Sequence, residues 1–126
     1  MAQVTGVAQI HISVRDLQRM VAFYRDVLGL EVVIEAESAV FLDCGGTRLY
    51  LAVPESEEYR SNPLLYFAVD DIDGMVAAVK NKGATVRSEP HVVHRTPEYE
   101  LWLAFFSDAE DHAVGLMEQR PTSEAA

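Results

Sequence analysis

Two stretches of this chain spell one pattern twice, and a chain built from a duplicated unit has few architectures open to it. Ser13-Val14-Arg15-Asp16-Leu17, followed by Met20-Val21-Ala22, returns as Ala68-Val69-Asp70-Asp71-Ile72, followed by Met75-Val76-Ala77. Each copy leads with an alternating apolar run ending in Val, sets an Asp where a helix would start, and continues with apolar residues at helical spacing. Gly29 and Gly83 stand where the two helices would close. The repeat predicts that the second half of the chain duplicates the first.

In the first copy, residues 7–14 read as a strand. Asp16 is the expected N-cap of a helix whose apolar face is Leu17, Met20, Val21, Tyr24, Val27 and Leu28. Strands are expected at 30–35, 39–43 and 47–53, with Gly45-Gly46 as a hairpin turn between the last two. Residues 54–62 are acidic and polar, and the linker falls at about 55–62. The pattern then restarts with a strand at 64–69 and a helix at 71–82, whose buried stripe is Ile72, Met75, Val76 and Val79. Three more strands, 85–94, 100–106 and 113–119, are separated by Pro97 and by the turn at 108–111. The architecture expected is a duplicated βαβββ in a single domain, with modules at about 5–54 and 63–120 and a frayed tail at 121–126. Phe41, Phe105 and Phe106 are expected in the core.

With 126 residues and 49% hydrophobic content, two half-size modules must build one core jointly, and neither half is expected to be stable alone. Ten basic against twenty acidic residues give a net charge of −10, which argues against non-specific binding to nucleic acid or an anionic membrane. Cys44 is the lone cysteine, so no internal disulfide is possible. These residues contain no basic-then-apolar leader and no membrane-spanning apolar run, and the expected location is cytoplasmic.

The run Val14-Arg15-Asp16-Leu17, continued by Ala22-Phe23-Tyr24-Arg25-Asp26-Val27-Leu28-Gly29-Leu30, resembles the opening signature of the vicinal oxygen chelate superfamily. That family includes glyoxalase I, extradiol dioxygenases, bleomycin-resistance proteins and methylmalonyl-CoA epimerase. The resemblance implies an α+β fold in which two βαβββ modules form an open, U-shaped mixed-sheet cup, with helices on the outer face and the ligand inside. It also implies a homodimer. Catalytic members hold a divalent ion with side chains from the first and last strand of each module. Those four positions fall here at Gln9, about Tyr50, Leu64 and Gly115. Leucine and glycine carry no side-chain donor, and the last-strand turn reads Asp108-Ala109-Glu110-Asp111 in place of the usual Asp-Pro-Asp-Gly. No cofactor is therefore expected.

His11 lies two residues beyond Gln9 and shares its face of a strand. It is either a functional imidazole on the cup floor or a core histidine bonded to Ser13 or to the backbone. His91 and His94 would point to opposite faces of a continuous strand. With Arg95 and Trp102 they concentrate imidazole, guanidinium and indole, which suits an anionic or aromatic ligand; the plainer alternative pairs Arg95 with Glu98 or Glu100. Cys44, beside Asp43, is expected to be passive. No glycine-rich phosphate loop or serine elbow is present.

The leading functional expectation is a metal-independent protein that binds a small molecule, with Gln9, His11, Tyr50, Tyr66, His94, Arg95 and Trp102 lining one cavity. The alternative is a lyase, isomerase or dioxygenase-type enzyme with His11 or His94 as general base and Gln9, Tyr50 or Arg95 stabilising an enolate. A relocated metal site at His91, His94 and Glu98 or Glu100 is a third. A small-molecule ligand and a second copy of the chain are the expected partners; nucleic acid and membrane are not.

Overall fold

Strict alternation places apolar side chains on one face of each strand, and in a computed structural model describing residues 2–122 those faces meet the two helices. The chain divides into two units after Pro63. In the first, β1 (Gln9–Ser13) leads into α1 (Leu17–Ala22), which runs on as a π-helical turn, Phe23–Val27. β2 (Glu31–Glu35), β3 (Ala39–Cys44) and β4 (Thr47–Ala52) follow, giving a sheet ordered β1-β4-β3-β2. β1 is parallel to β4, and the other pairs are antiparallel. The second unit repeats this with β5 (Tyr66–Ala68), α2 (Ile72–Asn81), β6 (Val86–Arg95), β7 (Tyr99–Ser107) and β8 (Ala113–Pro121), ordered β5-β8-β7-β6. The duplicated βαβββ of the α+β class is thus present, with each predicted element in place.

Each helix starts where an Asp can cap it. Asp16 accepts from the Arg19 amide at 3.2 Å, and Asp71 from the Gly74 amide at 3.0 Å. Ile12, Val14, Val40, Leu42, Leu49 and Leu51 are buried on the helix side of the first sheet, with Met20 and Val21 buried on α1. The π-helical turn adds a residue to the helical ladder after Phe23, and Phe23 is buried, edge-on to Tyr24, although the sequence pattern left it off the apolar face. In the second sheet Ile72, Val76 and Val79 of α2 pack with Ala104, Phe106, Val114 and Leu116 as the buried set.

Four segments differ from the sequence expectation. The linker is not a bare connection: it holds a 3₁₀ turn at Glu57–Tyr59 and is fastened to β1. The Ser13 amide donates to the Ser61 carbonyl at 2.8 Å, and the Ser61 amide donates to Ser13 Oγ at 2.7 Å. The predicted tail begins too early. β8 includes Pro121, and buried Thr122 donates through Oγ1 to the Pro97 carbonyl at 2.7 Å; residues 123–126 lie outside the described residues. Finally, β2 carries a bulge between Val32 and Ile34, and β6 shifts register between Val86 and Ser88, between Ser88 and His91, and between Val92 and His94. No helix among the described residues is long and apolar enough to cross a membrane.

Candidate functional site

The face of the first sheet opposite α1 carries a row of rings. His11, Tyr50 and Phe41 are register partners on β1, β4 and β3. Tyr50 stacks on Phe41 with centroids 4.8 Å apart and planes 8° from parallel, and His11 tilts against Tyr50 at 4.9 Å. Phe41 was expected in the core. An alternating strand gives the parity of its residues but not which parity faces the helix, and here Val40 and Leu42 take the core side.

A cleft of about 460 Å³ opens on this row, floored by Gln9, His11 and Tyr50. Its wall is Val53 and Pro54, at the end of the first module, with Glu55, Tyr59 and Ser61 of the supposed linker. None of the wall residues was among those the sequence singled out. The available signal was Tyr59, a large ring in an otherwise polar acidic stretch.

His11 is held at both ring nitrogens. Nδ1 is 3.2 Å from the Tyr50 carbonyl oxygen, which only accepts, so Nδ1 carries the proton. Nε2 lies 3.0 Å from Ser13 Oγ, which already accepts from the Ser61 amide and donates its hydroxyl proton to Nε2. This is the plainer of the two roles considered for His11, and it ties β1, β4 and the cleft wall together.

In the second unit the corresponding row is Tyr66, Gly115 and Phe105, register partners on β5, β8 and β7. Phe105 too was expected in the core, and it stands instead on the face opposite α2, edge-on to Tyr66 at 5.7 Å. The bulge between Val92 and His94 overturns the expected opposition of the two imidazoles. His91 pairs with Leu103 and His94 with Leu101, so both share the face of Tyr66.

Arg95 and Trp102 lie on the other face. Arg95 Nε donates to Glu100 at 2.7 Å, and the Trp102 indole N–H donates to the same carboxylate at 3.1 Å. Those two donors, the indole first, hold the Glu100 carboxyl below the usual range. Arg120 lies 4.2 Å from the Trp102 ring centroid and bonds Asp73 at 2.8 Å and Glu118 at 3.0 Å. The structure therefore brings Gln9, His11 and Tyr50 into one cleft, sets Tyr66 and His94 on one face of the second sheet, and gives Arg95 and Trp102 structural partners on its helix side. Burial, and then Asp43, pushes the Cys44 thiol up, away from a reactive thiolate.

The family's metal positions do not make a ligand set here. Leu64 is exposed and apolar, and a Cβ placed on Gly115 would lie 2.8 Å from Cδ2 of Tyr66. Among the described residues of either unit, no three His, Cys, Asp or Glu side chains converge.

The chain is similar to the metallothiol transferase FosB of Staphylococcus haemolyticus, 31% identical over 74 residues, 56% of this chain and 53% of that protein. It thus spans about half the length of that curated relative. The uncharacterized protein YraH of Bacillus subtilis is 30% identical over 122 residues, covering 84% of this chain and 92% of YraH. Among solved structures, TnmS3, an antibiotic binding protein from a Streptomyces species, superposes with a TM-score of 0.75 at 21% identity over 97% of this chain and all of that one. The family model of the Glyoxalase/Bleomycin resistance protein/Dioxygenase superfamily matches residues 6–96, and with the duplicated βαβββ in place the chain belongs to that superfamily.

Proposed function

We propose that this protein binds a flat aromatic small molecule in the cleft of its first unit, without a resident metal ion. The observation that carries this is the row of His11, Tyr50 and Phe41, a stacking surface beside a cleft of about 460 Å³ whose wall adds Tyr59. The likeness in fold to TnmS3, an antibiotic binding protein, supports the same class of role. His11 spends both nitrogens on structural bonds, which weighs against its use as a general base.

The probe is the planar aromatic dye proflavine, followed by its fluorescence. Saturable one-to-one binding that persists in 0.5 M NaCl is expected, since salt removes the general attraction of a cation to a chain of charge −10. Tyr50→Ala is expected to weaken binding about tenfold. Binding that is unsaturable, lost in salt, or equal in Tyr50→Ala overturns the proposal.

The protein is further proposed to be a cytoplasmic homodimer. The lone Cys44 accords with a reducing compartment. Exposed Val33 and Ile34 on β2 and Val93 on β6 accord with edges that a second copy covers. A monomer by light scattering at micromolar concentration would exclude the dimer.

A further inference from the structure

β6 is the outermost strand of the second sheet, paired with β7 alone, and its register slips between Ser88 and His91 and again between Val92 and His94. Ser88 pairs with Phe105, His91 with Leu103 and His94 with Leu101, so residues three apart on β6 answer residues two apart on β7. A regular strand would turn every second member of that series to the opposite face. Here the slips set all three in one row. The pairing of β7 with β8 is unbroken past Leu101 and Leu103, so the two histidines stand about 6.6 Å apart along the strand, the rise of two residues. Two imidazoles at that spacing on one face can reach one ion at bonds of about 2.0–2.1 Å. His91 already has the tautomer of a ligand. Its Nδ1 lies 2.8 Å from the Glu89 carbonyl oxygen, which only accepts, so Nδ1 carries the proton and Nε2 keeps its lone pair. A ligating histidine is ordinarily oriented by such a second bond. Both imidazoles are exposed, so an ion reaches them without opening the fold.

We propose that His91 and His94 form a two-imidazole clip for one exchangeable divalent ion of the copper, nickel and zinc group, with Cu²⁺ held most tightly and water completing the coordination. Neutral imidazole suits these three ions, and the order of affinity among them puts Cu²⁺ first. The clip lies wholly within the second unit, on a strand that carries none of the four places the superfamily resemblance gives to a metal, and it does not depend on the aromatic cleft of the first unit. The carboxylate that the sequence suggested as a third ligand is not part of it: Glu100 is on the other face, bonded to Arg95 and Trp102. The remaining histidines are engaged elsewhere, His11 at both nitrogens and His112 beside Asp108 at 3.6 Å.

The test is a calorimetric titration of the full chain with Cu²⁺ at neutral pH, read together with the electron paramagnetic resonance spectrum of the loaded protein. One ion per chain, coupled to two imidazole nitrogens, is expected. His91→Ala and His94→Ala should each weaken binding at least about tenfold, because either change reduces a chelate to a single ligand. His112→Ala should leave it unchanged. Moving the second imidazole by one residue, Val93→His in the His94→Ala chain, should not restore binding, since the slip leaves residue 93 out of the row. A spectrum with one nitrogen, uptake that survives both single variants, loss in only one of them, or rescue by Val93→His overturns the clip. Should a variant fail to fold, as judged by its melting temperature, the nitrogen count of the unmodified chain decides alone.

Discussion

His11 is bonded at Nδ1 to the Tyr50 carbonyl and at Nε2 to Ser13 Oγ, so its ring acts as a strut between β1, β4 and the cleft wall. His11→Ala would leave the buried Ser13 hydroxyl without its acceptor, and a stability loss of about 1–3 kcal/mol is expected in urea unfolding. Glu100 gives a pH-dependent prediction. Its carboxyl is held below the usual range in the folded state, first by the Trp102 indole and then by Arg95, so the stability it adds is fully present above about pH 4.3, the unfolded value. That contribution is lost as pH falls through the depressed folded value. The melting-temperature gap between the native chain and Glu100→Gln should be constant from pH 7 to 5 and close towards pH 3; a gap unchanged at pH 3 would refute this. At this scale the sequence exposed Gln9, His11 and Tyr50 because alternation alone makes the first two co-facial. It hid Phe41 and Trp102, whose strands offer bulky residues to both faces.

The N-terminus of α2 is held from two sides, by Asp71 at the Gly74 amide and by Glu118 of β8, which accepts from the Ile72 amide at 2.8 Å. Asp71→Ala is expected to cost about 1 kcal/mol. Glu118→Ala should speed hydrogen exchange at the Ile72 amide selectively, because it removes the carboxylate to which that amide donates. Uniform protection across α2 in that variant would show that the cap does not depend on β8. Asp16 and Asp71 were legible as caps because the signal is local: a short acceptor just before an apolar helical stripe. The π-helical turn and the bulges of β6 were not, since each adds one residue to a hydrogen-bonded ladder, and no residue type marks where the ladder yields. That is why His91 and His94, three apart, share a face.

Each unit buries its own helix–sheet layer, yet each has only about half of the 126 residues, a size at which the buried fraction of surface leaves stability marginal. Residues 1–63 expressed alone are therefore expected to show no cooperative thermal transition by circular dichroism, against a single sharp one for the full chain. The duplication itself was plain in the sequence, and the topology shows how far it reaches. In β2 the register slips between Val32 and Ile34, opposite Leu42 and Phe41; in β6 it slips between Val86 and Ser88, opposite Phe106 and Phe105. The surplus residue, Val33 in one half and Arg87 in the other, stands at the same place beside the same aromatic partner. Two unrelated insertions arriving at one register would be a double coincidence, whereas a single event inherited by both halves needs none. The repeat is therefore one of backbone irregularity as well as of sequence: the two halves match even where their ladders break.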